Sequence, residues 1–183
     1  MKDTLSTTDR HPYPLGELLS DLKSDLSLKT RSYKLALFYL VFSPSIRVLF
    51  CYRISRFLYV HGRKRFAYIF KSLQSRYGCY LSFKGSIGKR LYLPHPAGIV
   101  IGDGVVIEDD VSIWQNVTLG SHGKPRARQE YPYICSGVKI FAGAVLLGNI
   151  KVGENAIVGA NAVVLSDVPA NTVAVGVPYK GNL

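Results

Sequence analysis

Apolar and polar residues along this chain follow two rhythms, and the change falls near residue 80. From about 16 to 77 the spacing is helical. Leu18, Leu19, Leu22 and Leu26 recur at intervals of one, three and four, which places them on one face of an α-helix. The run LALFYLVF (35–42) leads into IRVLFCYRISRFLYV (46–60), Gly62 stops that run, and RKRFAYIFKSLQSRY (63–77) begins another. The pattern predicts three short helices with apolar and basic faces.

Beyond residue 80 a period of six takes over. One ladder reads Ile87, Leu93, Ile99, Val105, Val111 and Val117, and a later one reads Val138, Ala144, Ile150, Ala156, Ala162 and Val168. Two residues further on lies a companion ladder: Ile101, Ile107, Ile113 and Leu119, then Ile140, Leu146, Val152, Val158 and Val164. A six-residue unit cannot bury its own apolar face, so such units must coil and stack, each covering the next. Gly102, Asp103, Gly153, Glu154 and Asn155 suit the corners, where glycine, Asn and Asp tolerate left-handed backbone. The expected fold is mainly β: a parallel β-helix with three flat faces per coil and a stacked aliphatic interior, preceded by a small α-helical region.

The two ladders are out of phase, because Val117 to Val138 is not a multiple of six. The segment between them, GSHGKPRARQEYPY, must therefore leave the coil, and extruded loops on solenoids often carry function. The chain thus divides into a helical region (1–80), a repeat region (81–170) with an extruded loop at 121–133, and a C-terminal tail (171–183).

Composition narrows the class. The chain has 183 residues, 48% hydrophobic and 19% charged, which suits an ordinary globular protein. Three cysteines without paired spacing suggest neither a disulfide framework nor a metal site. The start, MKDTLSTTDRHPYP, lacks the apolar stretch of a signal peptide, and LALFYLVF is too short to span a bilayer, so a cytoplasmic protein is expected. The net charge of +11 is uneven: residues 1–80 hold 14 Lys/Arg against 5 Asp/Glu, and residues 81–183 hold 9 against 7. Such a basic half suits anionic ligands or peripheral contact with an anionic membrane, for instance through Arg63, Lys64 and Arg65. No recognition motif beyond charge points to nucleic acid.

In LPHPAGIVIGDG (93–104), counting back by six from Ile101 places His95 in a slot the pattern reserves for an aliphatic side chain. An imidazole buried there without a partner would cost about 1–3 kcal/mol. Either the histidine is a satisfied residue at an early coil, or it is there for chemistry.

HPAGIVIGDGVVIEDDVSIWQNVTLG, GSHGK, GVKIFAGAVLLGNIKVGENAIVGANAVVLSDVP and the ending AVGVPYK resemble the hexapeptide-repeat acyltransferases, most closely their serine O-acetyltransferase branch. CYRISRFLYVHGRKRFAYIF resembles the end of that branch's helical domain, so the resemblance covers roughly 50–180. It implies a left-handed parallel β-helix, a homotrimer or larger assembly with active sites between neighbouring prisms, and direct acetyl transfer from acetyl-CoA to a hydroxyl without a metal. His95 then matches the general base, a role imidazole fills because it titrates near neutrality. Asn116, Thr118, Gly120, Ala142 and Ala160 match the coenzyme A groove, and Lys180 matches the basic residue that meets its phosphates.

The sequence departs from the branch on the acceptor side. Pro94 and Tyr80 stand where serine acetyltransferases carry aspartates, and Gln129, Glu130, Tyr131 and Pro132 replace an Asp-Arg-His-Pro run. Tyr80, Asp103, His122 and Tyr131 are the candidate acceptor contacts, and Trp114 is expected on the outside at a subunit interface. The retained base with missing carboxylates points to a sugar or polysaccharide hydroxyl as acceptor. The alternatives are a serine O-acetyltransferase with a shortened helical region and a non-catalytic trimeric scaffold.

Overall fold

The computed structural model describes residues 13–123 and 130–179. Four α-helices come first: α1 (Leu15–Ser27), α2 (Tyr33–Phe42), α3 (Pro44–Val60) and α4 (Lys64–Gln74). The second of the three expected helical runs is thus two helices. Pro44 has no backbone N–H to continue α2 and opens α3 at its first turn, and the axes bend by 92° there. Gly62, at φ +75°, ends α3 as the sequence suggests.

From residue 80 the chain winds into a three-sided, left-handed parallel β-helix. Face 1 stacks Tyr80–Leu81, Val100–Ile101, Thr118–Gly120, Val145–Leu147 and Val163–Val164. Face 2 stacks Ser86–Ile87, Val106–Ile107, Tyr133–Ile134 and Lys151–Val152. Face 3 stacks Ser112–Ile113, Lys139–Ile140, Ile157–Val158 and Val173–Ala174, and a bridge from Tyr92 to Ser112 adds the first coil. Every member of the six-residue ladders is buried.

The pairing revises one part of the pattern. Ile87 stacks on Ile107, not on Val105, and the Tyr92–Ser112 bridge sets Leu93 over Ile113. The next aliphatic of this ladder is Ile101, eight residues after Leu93 instead of six. Two extra residues therefore enter between Leu93 and Ile101, and the ladder read from Ile87 crosses from one inward column to the other at that insertion. His95 lies inside it and is exposed, so the expectation of an inward slot fails and no burial cost arises.

Two of the three prism edges turn through left-handed residues at each level. Arg90, Asp110, Gly137, Asn155 and Asn171 do so between faces 2 and 3, and Gly98, Asn116, Gly143 and Asn161 between faces 3 and 1, all at φ between 56° and 74°. At Gly98 and Gly143 an added Cβ would come within 2.1 Å of the amide oxygen of Asn116 or Asn161, so glycine and asparagine interlock along that edge.

The helices close one end of the prism. Val48, Leu49 and Tyr52 of α3 join the same core as Ile87, Leu91 and Leu93. Arg53, fully buried, donates to Asp25 at 2.9 Å, to Asp21 at 3.2 Å, and to the carbonyls of Ile87 and Gly88 at 2.6 Å each. Burial works against this cation, but the carboxylates outweigh it and push the guanidinium pKa up. Tyr13 donates to Asp21 and the Arg90 N–H to Asp25, so α1, α3 and the first coil meet at one charged knot. Arg53→Met would leave two buried carboxylates without their cation and the Ile87 and Gly88 carbonyls without that donor, and should cost about 3–5 kcal/mol. Urea denaturation is the check, and a loss below about 1 kcal/mol would contradict the role given to Arg53.

Candidate active site

The edge between faces 3 and 1 gathers the residues expected to act together. The Asn116 N–H donates to the Ala97 carbonyl at 2.8 Å, Gly143 to Gln115 at 3.0 Å, and Asn161 to Ala142 at 2.9 Å. These bonds stack Ala97–Gly98, Gln115–Asn116, Ala142–Gly143 and Ala160–Asn161 as four levels of one ridge. At about 4.8 Å per level, the ridge runs roughly 14 Å. His95 stands at its first level, two residues before Ala97, whose N–H returns to the His95 carbonyl at 2.8 Å.

Small side chains leave the backbone of this ridge open to solvent. Ala97, Gly98, Asn116 and Ala160 are exposed, and Ala142 is half-buried. A long, extended ligand can lie along such a ridge and exchange hydrogen bonds with backbone groups, which is the donor set a pantetheine arm with its two amides calls for. The residues present therefore fit coenzyme A. Beside the ridge, Trp114 stacks on Phe141 with ring centroids 4.5 Å apart, so the expected outer aromatic is braced by the next coil. Thr118 lies further onto face 1, paired with Val100 and Val145, and Gly120 ends that strand. Lys180 lies outside the described residues.

The acceptor candidates are spread differently. Tyr80 lies on face 1, where Lys71 donates to its hydroxyl at 2.8 Å. Asp103, His122 and Tyr131 lie on the edge between faces 1 and 2, where the extruded loop leaves the coil between Leu119 and Ile134. The Tyr131 ring covers Gly102 and Gly104, where an added Cβ would approach it to 2.7 and 2.3 Å. The His122 ring lies against Gly148 in the same way, 2.3 Å from the position of an added Cβ. Pro94 is half-buried beside His95.

Asp103 is the charged member of this second group. Burial alone would push its carboxyl up, but hydrogen bonds from Lys84 at 2.8 Å and Ser82 at 2.6 Å hold it below the usual carboxylate range. Roughly 16 Å of extended backbone across face 1 separates Gly98 from Asp103. His95 and the Asp103 group therefore sit on different edges of one chain. Among the described residues nothing hydrogen-bonds the His95 imidazole. No group of His, Cys, Asp and Glu among the described residues could hold a metal ion.

Sequence reasoning missed Ala97, Gly98 and Asn161 as parts of the ridge. Their signal is legible in retrospect as glycine or asparagine recurring at 98, 116, 143 and 161 at the same corner of successive coils. The depressed folded-state pKa of Asp103 has a stability consequence. A carboxylate with a depressed pKa stabilises the fold above its unfolded value, and that contribution disappears as pH falls through the folded value. Asp103→Asn should lower the Tm at pH 7, and the difference from the unaltered chain should vanish near pH 2. An equal difference at both pH values would remove ionisation as its cause.

Comparisons with known proteins bear on this site. Residues 131–166 match the family model described as bacterial transferase hexapeptide (six repeats). A serine acetyltransferase of Buchnera aphidicola is 42% identical over 142 residues, covering 77% of this chain and 52% of that protein. Soybean serine acetyltransferase complexed with serine superposes with a TM-score of 0.80 at 35% identity, covering 89% of this chain and 68% of that one. The serine acetyltransferase of Brucella abortus strain S19 in complex with coenzyme A gives a TM-score of 0.81 at 34% identity, covering 91% and 68%. The chain spans about half the length of the curated relatives it matches. Relatives of that name contradict the expectation of a sugar or polysaccharide acceptor, which rested on a retained base beside missing serine-binding charges.

Proposed function

The chain belongs to the bacterial hexapeptide transferases, on their serine acetyltransferase branch, and from that premise we propose that it is an acetyl-CoA-dependent serine O-acetyltransferase. The observation that carries the reading is His95 at the head of the small-residue ridge, one level from Asn116 and in line with Ala142 and Ala160. Likeness to structures holding coenzyme A in one case and serine in another supports both substrates.

Bound acetyl-CoA supplies an activated thioester carbonyl. His95 accepts the proton of the serine hydroxyl as its oxygen attacks that carbonyl, and returns the proton to the sulfur as the carbon–sulfur bond breaks. The proton count is balanced, and the enzyme carries no acetyl group between steps. With the Ala97 N–H committed to the His95 carbonyl, the exposed Gly98 N–H at the head of the ridge is the backbone donor suited to meet the developing negative charge on oxygen.

A homotrimer is part of the proposal. With His95 on one edge and Asp103, His122 and Tyr131 on another, a second copy of the chain is needed to bring acceptor contacts to the imidazole. Asp103, ionised and held by Lys84, is the carboxylate available for a serine amino group in place of those absent at 80 and 94.

Steady-state assays with acetyl-CoA and L-serine test the reading. O-acetylserine should form, and His95→Ala should lower kcat by about 10²–10⁴ with a smaller change in KM. Failure to acetylate serine, or full activity in His95→Ala, would contradict it.

A further inference from the structure

The helical region carries a surface that acetyl transfer does not use. Around α2, at 3.6 residues per turn, Leu37, Val41, Phe38, Phe42 and Leu35 fall in sequence over an arc of roughly 160°. All five are exposed, Leu37 to 67% and Phe42 to 64%. Lys34 is the sole charged residue on that arc, while Ala36, Tyr39 and Leu40 are half-buried on the side that α3 occupies. The exposed arc is more apolar than a surface helix normally presents to water.

A second observation concerns charge. From Leu26 to Gly102 the chain contains fourteen Lys and Arg and no Asp or Glu. Lys29 and Arg31 immediately precede α2, and Lys34 lies in its first turn. An apolar arc bordered by cations, with no acidic residue nearby in sequence, is complementary to a bilayer surface that offers acyl chains beneath anionic headgroups. A stretch without acidic residues would also repel a second copy of itself, which argues against self-association through the same face.

Length decides how such contact is made. α2 has ten residues, about 15 Å of helix against the roughly 30 Å of a hydrocarbon core. No single helix among the described residues is long and apolar enough to cross a membrane. The helix can therefore lie in the interface but not span it.

We propose that the exposed face of α2, with Lys29, Arg31 and Lys34, docks this protein on the surface of an anionic lipid bilayer. This holds whatever the acceptor of the transferase site, because none of these residues belongs to that site. The test is sedimentation of the full chain with vesicles of phosphatidylcholine containing roughly a third phosphatidylglycerol, beside vesicles of phosphatidylcholine alone. The chain should bind the anionic vesicles at low salt, bind neutral vesicles at least about tenfold more weakly, and dissociate as salt is raised. Phe38→Ser with Phe42→Ser should abolish binding, and Lys29→Gln, Arg31→Gln and Lys34→Gln together should weaken it by about fivefold per charge removed. Acetyl transfer and circular dichroism should be unchanged in both variants, which separates lost docking from lost folding. The proposal is overturned by the absence of binding to anionic vesicles. It is equally overturned if the double phenylalanine variant still binds, or if that variant halves the assembly mass while lipid binding persists, which would assign the face to a second copy.

Discussion

The stack of aliphatic side chains along the prism axis is the constraint from which the rest of this structure follows. Each inward residue must sit over its counterpart one coil away, as Ile101 sits over Leu119 and Leu119 over Leu146. A residue that does not fit the six-residue count cannot be absorbed in a face, because a one-residue slip would turn apolar side chains outward. Extra residues are therefore expelled at the corners. Two such expulsions occur among the described coils, one around His95 and one between Leu119 and Ile134, and these two corners hold His95 and, on the other edge, Asp103, His122 and Tyr131.

A solenoid solves its interior but leaves its ends open, and here the helical region closes one of them. Val48, Leu49 and Tyr52 extend the apolar stack, while Arg53 ties α1 and α3 to the carbonyls of Ile87 and Gly88. The closure is made on the same coil that carries His95, with Ser45 donating to the Leu93 carbonyl two residues before it, so the joint that seals the core also fixes the first level of the ridge. The edge headed by His95 is thus supported from below by packing and along its length by the Gly–Asn interlock.

Much of this was legible in the sequence because a period of six has few physical solutions. The coil, its aliphatic interior and the extruded loop follow from spacing, and the structure stacks Asn116, Ala142 and Ala160 on one ridge. What spacing hides is a short insertion whose flanks keep the period. Ile99 is six residues from Leu93, yet Leu93 stacks in the other inward column, so the count looked unbroken while His95 moved from inside to outside. The helix count failed at Ser43–Pro44, where only Ser43, Pro44 and Ser45 separate two apolar runs and the proline starts a new helix without a connecting loop. The acceptor was misjudged for a different reason: the loss of Asp at 80 and 94 says which contacts are absent, not which others replace them. Asp103 is an ionised carboxylate on another edge of the prism, and its availability depends on Lys84 and Ser82, which no linear pattern links to it.

The central claim is that the ridge headed by His95 is where acetyl transfer to serine occurs. A crystal structure of the chain with coenzyme A and L-serine bound tests it most directly. The account predicts a pantetheine arm lying along Ala97, Asn116, Ala142 and Ala160, with the serine hydroxyl within about 3 Å of a His95 ring nitrogen. Coenzyme A seated on another face, or serine bound away from His95, would contradict it.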